Sequence, residues 1–176
     1  MTKKLLKQSL IELMKDKSIH TIKIKEICEK ADINRSTFYK HYNSPYGLYD
    51  EIFEDVGNKI SALLKNRDQN SGSYSDLIES ALKYAESERE MFLVILSGNG
   101  CMSVGEMLSN IVDKFIDKSQ ASPLSRYCIQ FVSAGITNIL WIWLNEEKRR
   151  SAHEVAVVIS ALINHGLKRA VAFAGN

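Results

Sequence analysis

Residues 21–42 read TIKIKEICEKADINRSTFYKHY, and their pattern predicts two short helices joined by a tight turn. Ile24, Ile27, Cys28 and Ala31 recur at i, i+3, i+4 and i+7, which places them on one helical face over about Lys23 to Ala31. Asp32-Ile33-Asn34 supplies the turn, because Asp and Asn tolerate left-handed backbone and bond to their own main chain. A second helix starts near Arg35 and carries Ser36, Thr37, Phe38, Tyr39, Lys40, His41 and Tyr42. Phe38 and Tyr42 turn inward with Ile33, leaving Arg35, Ser36, Thr37, Lys40 and His41 outward and Tyr39 at the edge. An outward face of hydrogen-bonding, cationic and aromatic residues on a very short helix suits the reading of a DNA groove. Two helices across a polar turn are also a common packing unit, and pattern alone leaves both readings open.

The residues themselves carry more. The run ADINRSTFYKHY at 31–42, followed by Ser44-Pro45-Tyr46-Gly47-Leu48, closely resembles the signature of the TetR/AcrR family of transcriptional regulators. That pattern is roughly A-G-V-S-x-G-T-F/L-Y-x-H-F, then a short turn and a Leu opening a fourth helix. Asp32 stands where Gly is usual, a departure that the turn chemistry absorbs. Ser36 stands where Gly, Ser, Pro or Ala occurs, which alters base readout rather than fold. The family usually has Lys near Pro45, so one phosphate-binding charge is missing here. The match is strong over the first third of the chain and extends beyond it only in helical plan.

The resemblance implies an all-α protein of about nine helices. Residues 1–46 form a three-helix helix-turn-helix DNA-binding domain, and residues 47–176 a helical regulatory and dimerisation domain. Lys25 matches a position that approaches DNA, whereas Lys23 reads equally well as a solvated lysine. Tyr39 and His41 match positions that contact backbone or bases, although His41 also fits a structural role pinning its helix. Tyr46 and Gly47 open the fourth helix, whose amides anchor a phosphate in such proteins.

Chemistry divides the remaining roles. Arg35 is suited to a bidentate contact with guanine or to a phosphate clamp. Ser36 and Thr37 are short hydrogen-bonding groups near the helix start, and the Thr37 methyl can meet a thymine methyl. Lys40 reads as a phosphate ligand. Ser44 is a good N-cap and Pro45 a good first helical residue, so the fourth helix runs from Pro45 to about Lys65. Leu48, Ile52, Val56, Ile60 and Leu63 form its stripe. That length makes it the natural link between the two parts of the chain.

Composition bounds the rest. The 176 residues are 45% hydrophobic and 25% charged, as in a soluble globular protein. Two prolines and nine glycines favour long, unbroken helices. The net charge is only +2, so a nucleic-acid footprint must be local. Lys3, Lys4, Lys7, Lys15, Lys17, Lys23, Lys25, Lys30, Arg35 and Lys40 supply it in the N-terminal part. Three widely spaced cysteines form no C-x-x-C pair, which disfavours a zinc site or disulfide framework. Cys28 reads as core, and Cys101 lies in a loop where redox sensing is a minor alternative. The amphipathic N-terminus, soon charged again, does not read as a signal peptide. A cytoplasmic protein is expected.

Taken in order, Leu6, Leu10, Leu13 and Met14 mark a first helix over Lys3 to Lys15, and Ile19 and Ile22 plug the gap to the second, for which Thr21 is the cap. Arg67 to Ser75 is a polar loop. Leu77 to Glu86 is amphipathic, and Arg89 to Leu96 is apolar all round, as a buried helix should be. Ser97-Gly98-Asn99-Gly100 lacks the preceding strand and following Lys-Ser/Thr of a phosphate-cradling loop, so a nucleotide site is rejected and no cofactor is expected. Another helix runs from Val104 to Ile116. Leu124 to Asn145 nearly suffices to span a membrane, but Gln130, Ser133, Thr137 and Asn138 stripe one face, which favours a bundle helix. The last helix runs from Ala152 to about Ala172.

By the family plan these last two helices pair with their copies in a homodimer. The alternative is that their apolar faces complete one chain's core. Met91, Phe92, Ile95, Met107, Phe115 and Trp141 are candidate walls of an apolar effector pocket, although each reads more simply as plain core. Only four histidines occur, His20, His41, His153 and His165, with no pair at metal or triad spacing, so catalysis is not expected. The expected function is a dimeric repressor on a palindromic duplex operator, released by an unknown small-molecule effector. An activator acting through a partner protein, or a helical interaction module, are the alternatives.

Overall fold

The computed structural model describes residues 1–65, 74–98, 100, 104–113 and 125–167. Among them every regular element is helical. The order is α1 (Thr2–Met14), a 3-10 turn (Ile19–Thr21), α2 (Ile24–Ala31), α3 (Arg35–Tyr39), α4 (Pro45–Lys65), α5 (Tyr74–Ser87), α6 (Arg89–Leu96), α7 (Val104–Asp113), α8 (Ser125–Asn145) and α9 (Ala152–Leu162), which runs into a π turn (Ile163–Leu167). Among the described residues this is the all-α architecture expected from the sequence. The chain forms two compact units, Met1–Asn58 with Glu90–Ser103, and Lys59–Arg89 with Val104–Asn176.

In the first unit the apolar periodicity becomes a core. Leu6, Leu10 and Met14 of α1 are fully buried, with Ile11 beside them; Leu13 is only half-buried. Ile19 and Ile22 fill the corner after α1, as their spacing predicts. Ile27, Cys28 and Ala31 of α2, Phe38 of α3 and Phe92, Val94 and Ile95 of α6 complete it. In this unit α4 buries Tyr49 and Phe53 as well as the Leu48, Ile52 and Val56 stripe, so its apolar face is wider than the sequence pattern suggests. The backbone at Gly100 lies so close to the Tyr49 ring that any side chain there would overlap it.

Two local readings are corrected. Thr21 does not cap α2: its hydroxyl donates to the Ser18 carbonyl inside the 3-10 turn (2.8 Å). Lys23 takes the N-cap position, and the Glu26 carboxylate reaches back to accept its backbone N–H at 2.8 Å. α3 closes at Tyr39 rather than Tyr42, leaving Lys40 and His41 in a turn. The reason is local: the His41 and Tyr42 amides both bond to the Phe38 carbonyl at 2.9 Å while Phe38 and Tyr42 bury their rings 5.8 Å apart.

The second unit pairs α5 with α9 and α7 with α8. Leu82 and Ala85 of α5 and Ala152, Ala156 and Ile159 of α9 are all buried. Ser151 caps α9, accepting the Glu154 amide at 3.2 Å while Glu154 accepts the Ser151 amide at 2.9 Å. His153 Nδ1 lies 2.7 Å from Glu79, which also holds Lys83 at 2.7 Å, so one carboxylate pins α9 to α5. The Arg89 guanidinium donates to the Leu144 carbonyl at 2.8 Å, and the Trp143 indole to the Arg150 carbonyl at 2.7 Å, which closes the end of α8.

Candidate nucleic-acid interface

The helix-turn-helix is built from the α2–α3 turn upward. α2 ends with Asp32 in the left-handed region (φ 54°, ψ 48°), and the Ile33 amide returns to the Cys28 carbonyl at 3.0 Å. Asp32 thus performs the turn that the family gives to Gly. Asn34 starts α3, its carbonyl accepting the Thr37 and Phe38 amides at 2.9 and 3.1 Å. Phe38 is fully buried and Tyr42 nearly so, which turns the opposite face outward.

That outward face holds the residues expected on it. Arg35, Ser36, Tyr39, Lys40 and His41 are exposed and Thr37 is half-buried. Among the described residues no carboxylate lies within ion-pair distance of Arg35 or Lys40. Both charges are therefore available to a phosphate or a base edge. Lys25 is exposed on α2, with Glu29 one turn away at 3.5 Å. Such a solvated pair is weak and separates readily for a stronger anion. An open hollow of about 340 Å³ lies at the turn, lined by Lys25, Cys28, Glu29, Asp32, Ile33, Asn34 and Arg35. Cys28 is buried there, and burial pushes its thiol up against the pull of Arg35, which suits an inert core residue.

At the start of α4 the Ser44 hydroxyl accepts the Gly47 amide at 3.2 Å. The Gly47 amide is thus already satisfied, and Tyr46 is the more exposed of the two residues expected to anchor a phosphate. The Tyr46 hydroxyl lies 2.8 Å from His20 Nδ1 across 26 positions of sequence, a contact that no local pattern announces.

The basic footprint is narrower than a count of lysines suggests. Lys3 and Lys7 pair with Glu51, Lys7 also with Asp55, Lys15 with Glu90, Lys17 with Glu26 and Lys30 with Glu12. These pairs link segments of the first unit, although Lys3, Lys15, Lys17 and Lys30 remain exposed. Lys7 holds the Glu51 carboxyl down at about 2, against burial and with help from Lys3 and Tyr42. Burial alone would lower the Lys7 ammonium, but Asp55 and Glu51 outweigh it and leave it above its ordinary value. Burial, and then the Glu51 carboxylate, pushes the Tyr42 phenol up.

Comparison with known proteins decides the family. The model of a TetR-type transcriptional regulator C-terminal region matches residues 72–165, more than half of the chain. The chain belongs to the TetR/AcrR family of transcriptional regulators. As a TetR-family chain it has a fold close to that of a TetR regulator from Streptococcus agalactiae (TM-score 0.67, 20% identity, 92% of this chain and 93% of that one). The dihydroxyacetone kinase operon activator DhaS is similar over 96% and 97% of the two chains (TM-score 0.61, 20% identity). In sequence, an uncharacterised HTH-type regulator of Bacillus subtilis, YxbF, is 36% identical over 50 residues, 28% of this chain and 13% of that protein. These TetR-family relatives are regulators rather than enzymes.

The residues named as candidate pocket walls fall in separate units of this TetR-family chain. Phe92 and Ile95 are buried, and Met91 half-buried, in the first; Met107 is buried and Trp141 half-exposed in the second. Phe115 and Cys101 lie outside the described residues. Among the described residues no group of three or more His, Cys, Asp or Glu is placed to hold a metal.

Proposed function

We propose that this TetR-family regulator is a dimeric repressor that binds a palindromic duplex operator and is released by a small apolar effector. The domains in this reading are 1–46 for DNA binding and 47–176 for regulation and dimerisation. The observation that carries it is the outward face of α3 and its following turn, where Arg35 and Lys40 stand exposed without a carboxylate partner among the described residues, beside Ser36, Thr37, Tyr39 and His41. Lys25, through its ammonium, and Tyr46, through its backbone N–H, flank that face as phosphate contacts. Arg35 and Thr37 read bases; Lys40 holds the backbone.

Dimerisation is supported by what α8 and α9 leave uncovered. Tyr127, Phe131 and Ile142 on α8 and Val157, Val158 and Leu162 on α9 are exposed, Phe131 by 82%. Arg126–Asn145 is also long and apolar enough to cross a membrane and is only 22% buried within the chain. A second copy laid over these helices covers the same apolar surface, and the exposed apolar residues on both helices favour that cover over lipid. The reading places the protein in the cytoplasm, off the membrane, without enzymatic activity or cofactor.

Two linked recognition helices also answer an energetic need, since one five-residue helix makes few contacts. With half-sites one turn apart the helices sit ~34–36 Å apart. An effector favouring another spacing lowers DNA affinity by its differential affinity for the two states. In the second unit Met107 and Trp141 give such an effector apolar contacts, and α4, which carries the chain from one unit to the other, transmits the change. An activator reading keeps the same DNA face, and DhaS, an operon activator of similar fold, favours retaining it.

Sedimentation of the purified protein tests the dimer. The wild type should sediment as a dimer and Phe131→Glu with Val158→Glu as a monomer. A wild type that stays monomeric at micromolar concentration and on DNA would sink this reading.

A further inference from the structure

We infer that His20 and Tyr46 form a phosphate clamp beside the recognition helix, with His20 the donor and Tyr46 the residue that positions it. The inference rests on the DNA-binding reading above and deepens it. His20 lies in the 3-10 turn between α1 and α2, and Tyr46 is the second residue of α4. The two side chains are exposed, yet His20 Nδ1 and the Tyr46 hydroxyl lie 2.8 Å apart, with ring centroids at 5.8 Å and planes tilted by 51°.

An exposed histidine ordinarily turns among rotamers. With the Tyr46 O–H as donor to Nδ1, the ring takes the tautomer that carries its proton on Nε2. The imidazole then keeps one face bonded and holds an N–H donor on the other, the arrangement a phosphate oxygen accepts. The contact joins the α1–α2 corner to the start of α4, only six positions beyond Lys40. It stands near Pro45, where the family's usual lysine is absent, so an oriented donor takes over part of that anchoring. A phosphate contact of this kind sets affinity without reading sequence.

The test uses the full-length protein, the duplex recovered by selection from a random pool, and an unselected duplex of equal length. His20→Ala should weaken both complexes by the same factor, about three- to tenfold, and leave the preferred sequence and the thermal midpoint unchanged. His20→Gln, whose amide reaches the Nε2 position, should recover most of the loss, and His20→Asn should not. Tyr46→Phe should weaken binding in the wild type but add nothing to His20→Ala. Equal binding by wild type and His20→Ala, or a loss matched by a fall in thermal midpoint, would overturn the clamp while leaving the DNA-binding reading intact. A wild type that binds neither duplex would overturn both.

Discussion

Lys7 Nζ lies 2.7 Å from Glu51 and 2.6 Å from Asp55, so one lysine of α1 is held between two carboxylates a helical turn apart on α4. Lys3 adds a second bond to Glu51 at 3.0 Å and rests over the Tyr42 ring, 5.4 Å from its centroid. The group sits where α1, α4 and the end of the recognition segment meet. It fixes the frame that presents α3.

Its pH dependence follows from Glu51. The folded carboxyl titrates at about 2, below its ordinary 4.5. Its stabilisation is therefore present above pH 4.5 and lost as the pH falls from 4.5 toward 2. Glu51→Gln should lower unfolding stability at pH 7 by about 1–2 kcal/mol. In urea titrations its deficit should shrink on going from pH 7 to pH 3. A deficit that stays constant would mean the network contributes nothing through charge.

Asp32 bears the left-handed turn at φ 54°. Asp32→Val should cost about 1–2 kcal/mol, because a β-branched side chain is strained there. Asp32→Gly should stay near the wild type, since the relief of strain and the added freedom of the unfolded chain oppose each other. Denaturant midpoints of the two variants decide this; equal losses would show that the strain is not local to Asp32.

Gly100→Ala should destabilise by about 1–3 kcal/mol by overlapping the Tyr49 ring. In a Tyr49→Leu background the same change should cost less, as a double-mutant cycle measures. Additive losses would mean that the two residues do not meet.

On DNA the two cationic residues should part company. Arg35→Ala should lose about 1–3 kcal/mol of discrimination at one base pair of each half-site. Thr37→Ala should relax one neighbouring position. Lys40→Ala should weaken all sequences evenly and reduce the salt slope by about one per half-site, about two for the dimer. Equilibrium titrations against single-base variants of the site separate the cases.

Much of this was legible in the chain because it is local chemistry. Ser44-Pro45 marks the start of α4, and the apolar run from Arg89 to Leu96 matches α6. Asp32 announces its turn. What was not legible depends on partners distant in sequence. The α2 cap passed from Thr21 to Lys23 because Glu26 reaches back to its amide. Five lysines of the expected basic footprint are occupied by acids, three of which lie 48 to 75 positions away. His20 gave no local sign of its contact with Tyr46, nor His153 of its pairing with Glu79. Tyr49 and Phe53 look like flank residues of a single stripe, yet α4 is covered widely enough to bury both.

The central claim is that a pair of α3 helices reads a specific symmetric site. Selection of bound DNA from a random pool, run on the purified protein at two salt concentrations, tests it most directly. The account predicts one enriched palindrome with half-sites about one helical turn or slightly more apart, kept at the higher salt with lower affinity. Recovery of no preferred sequence at either salt would contradict it, and would leave the α2–α3 pair a packing unit.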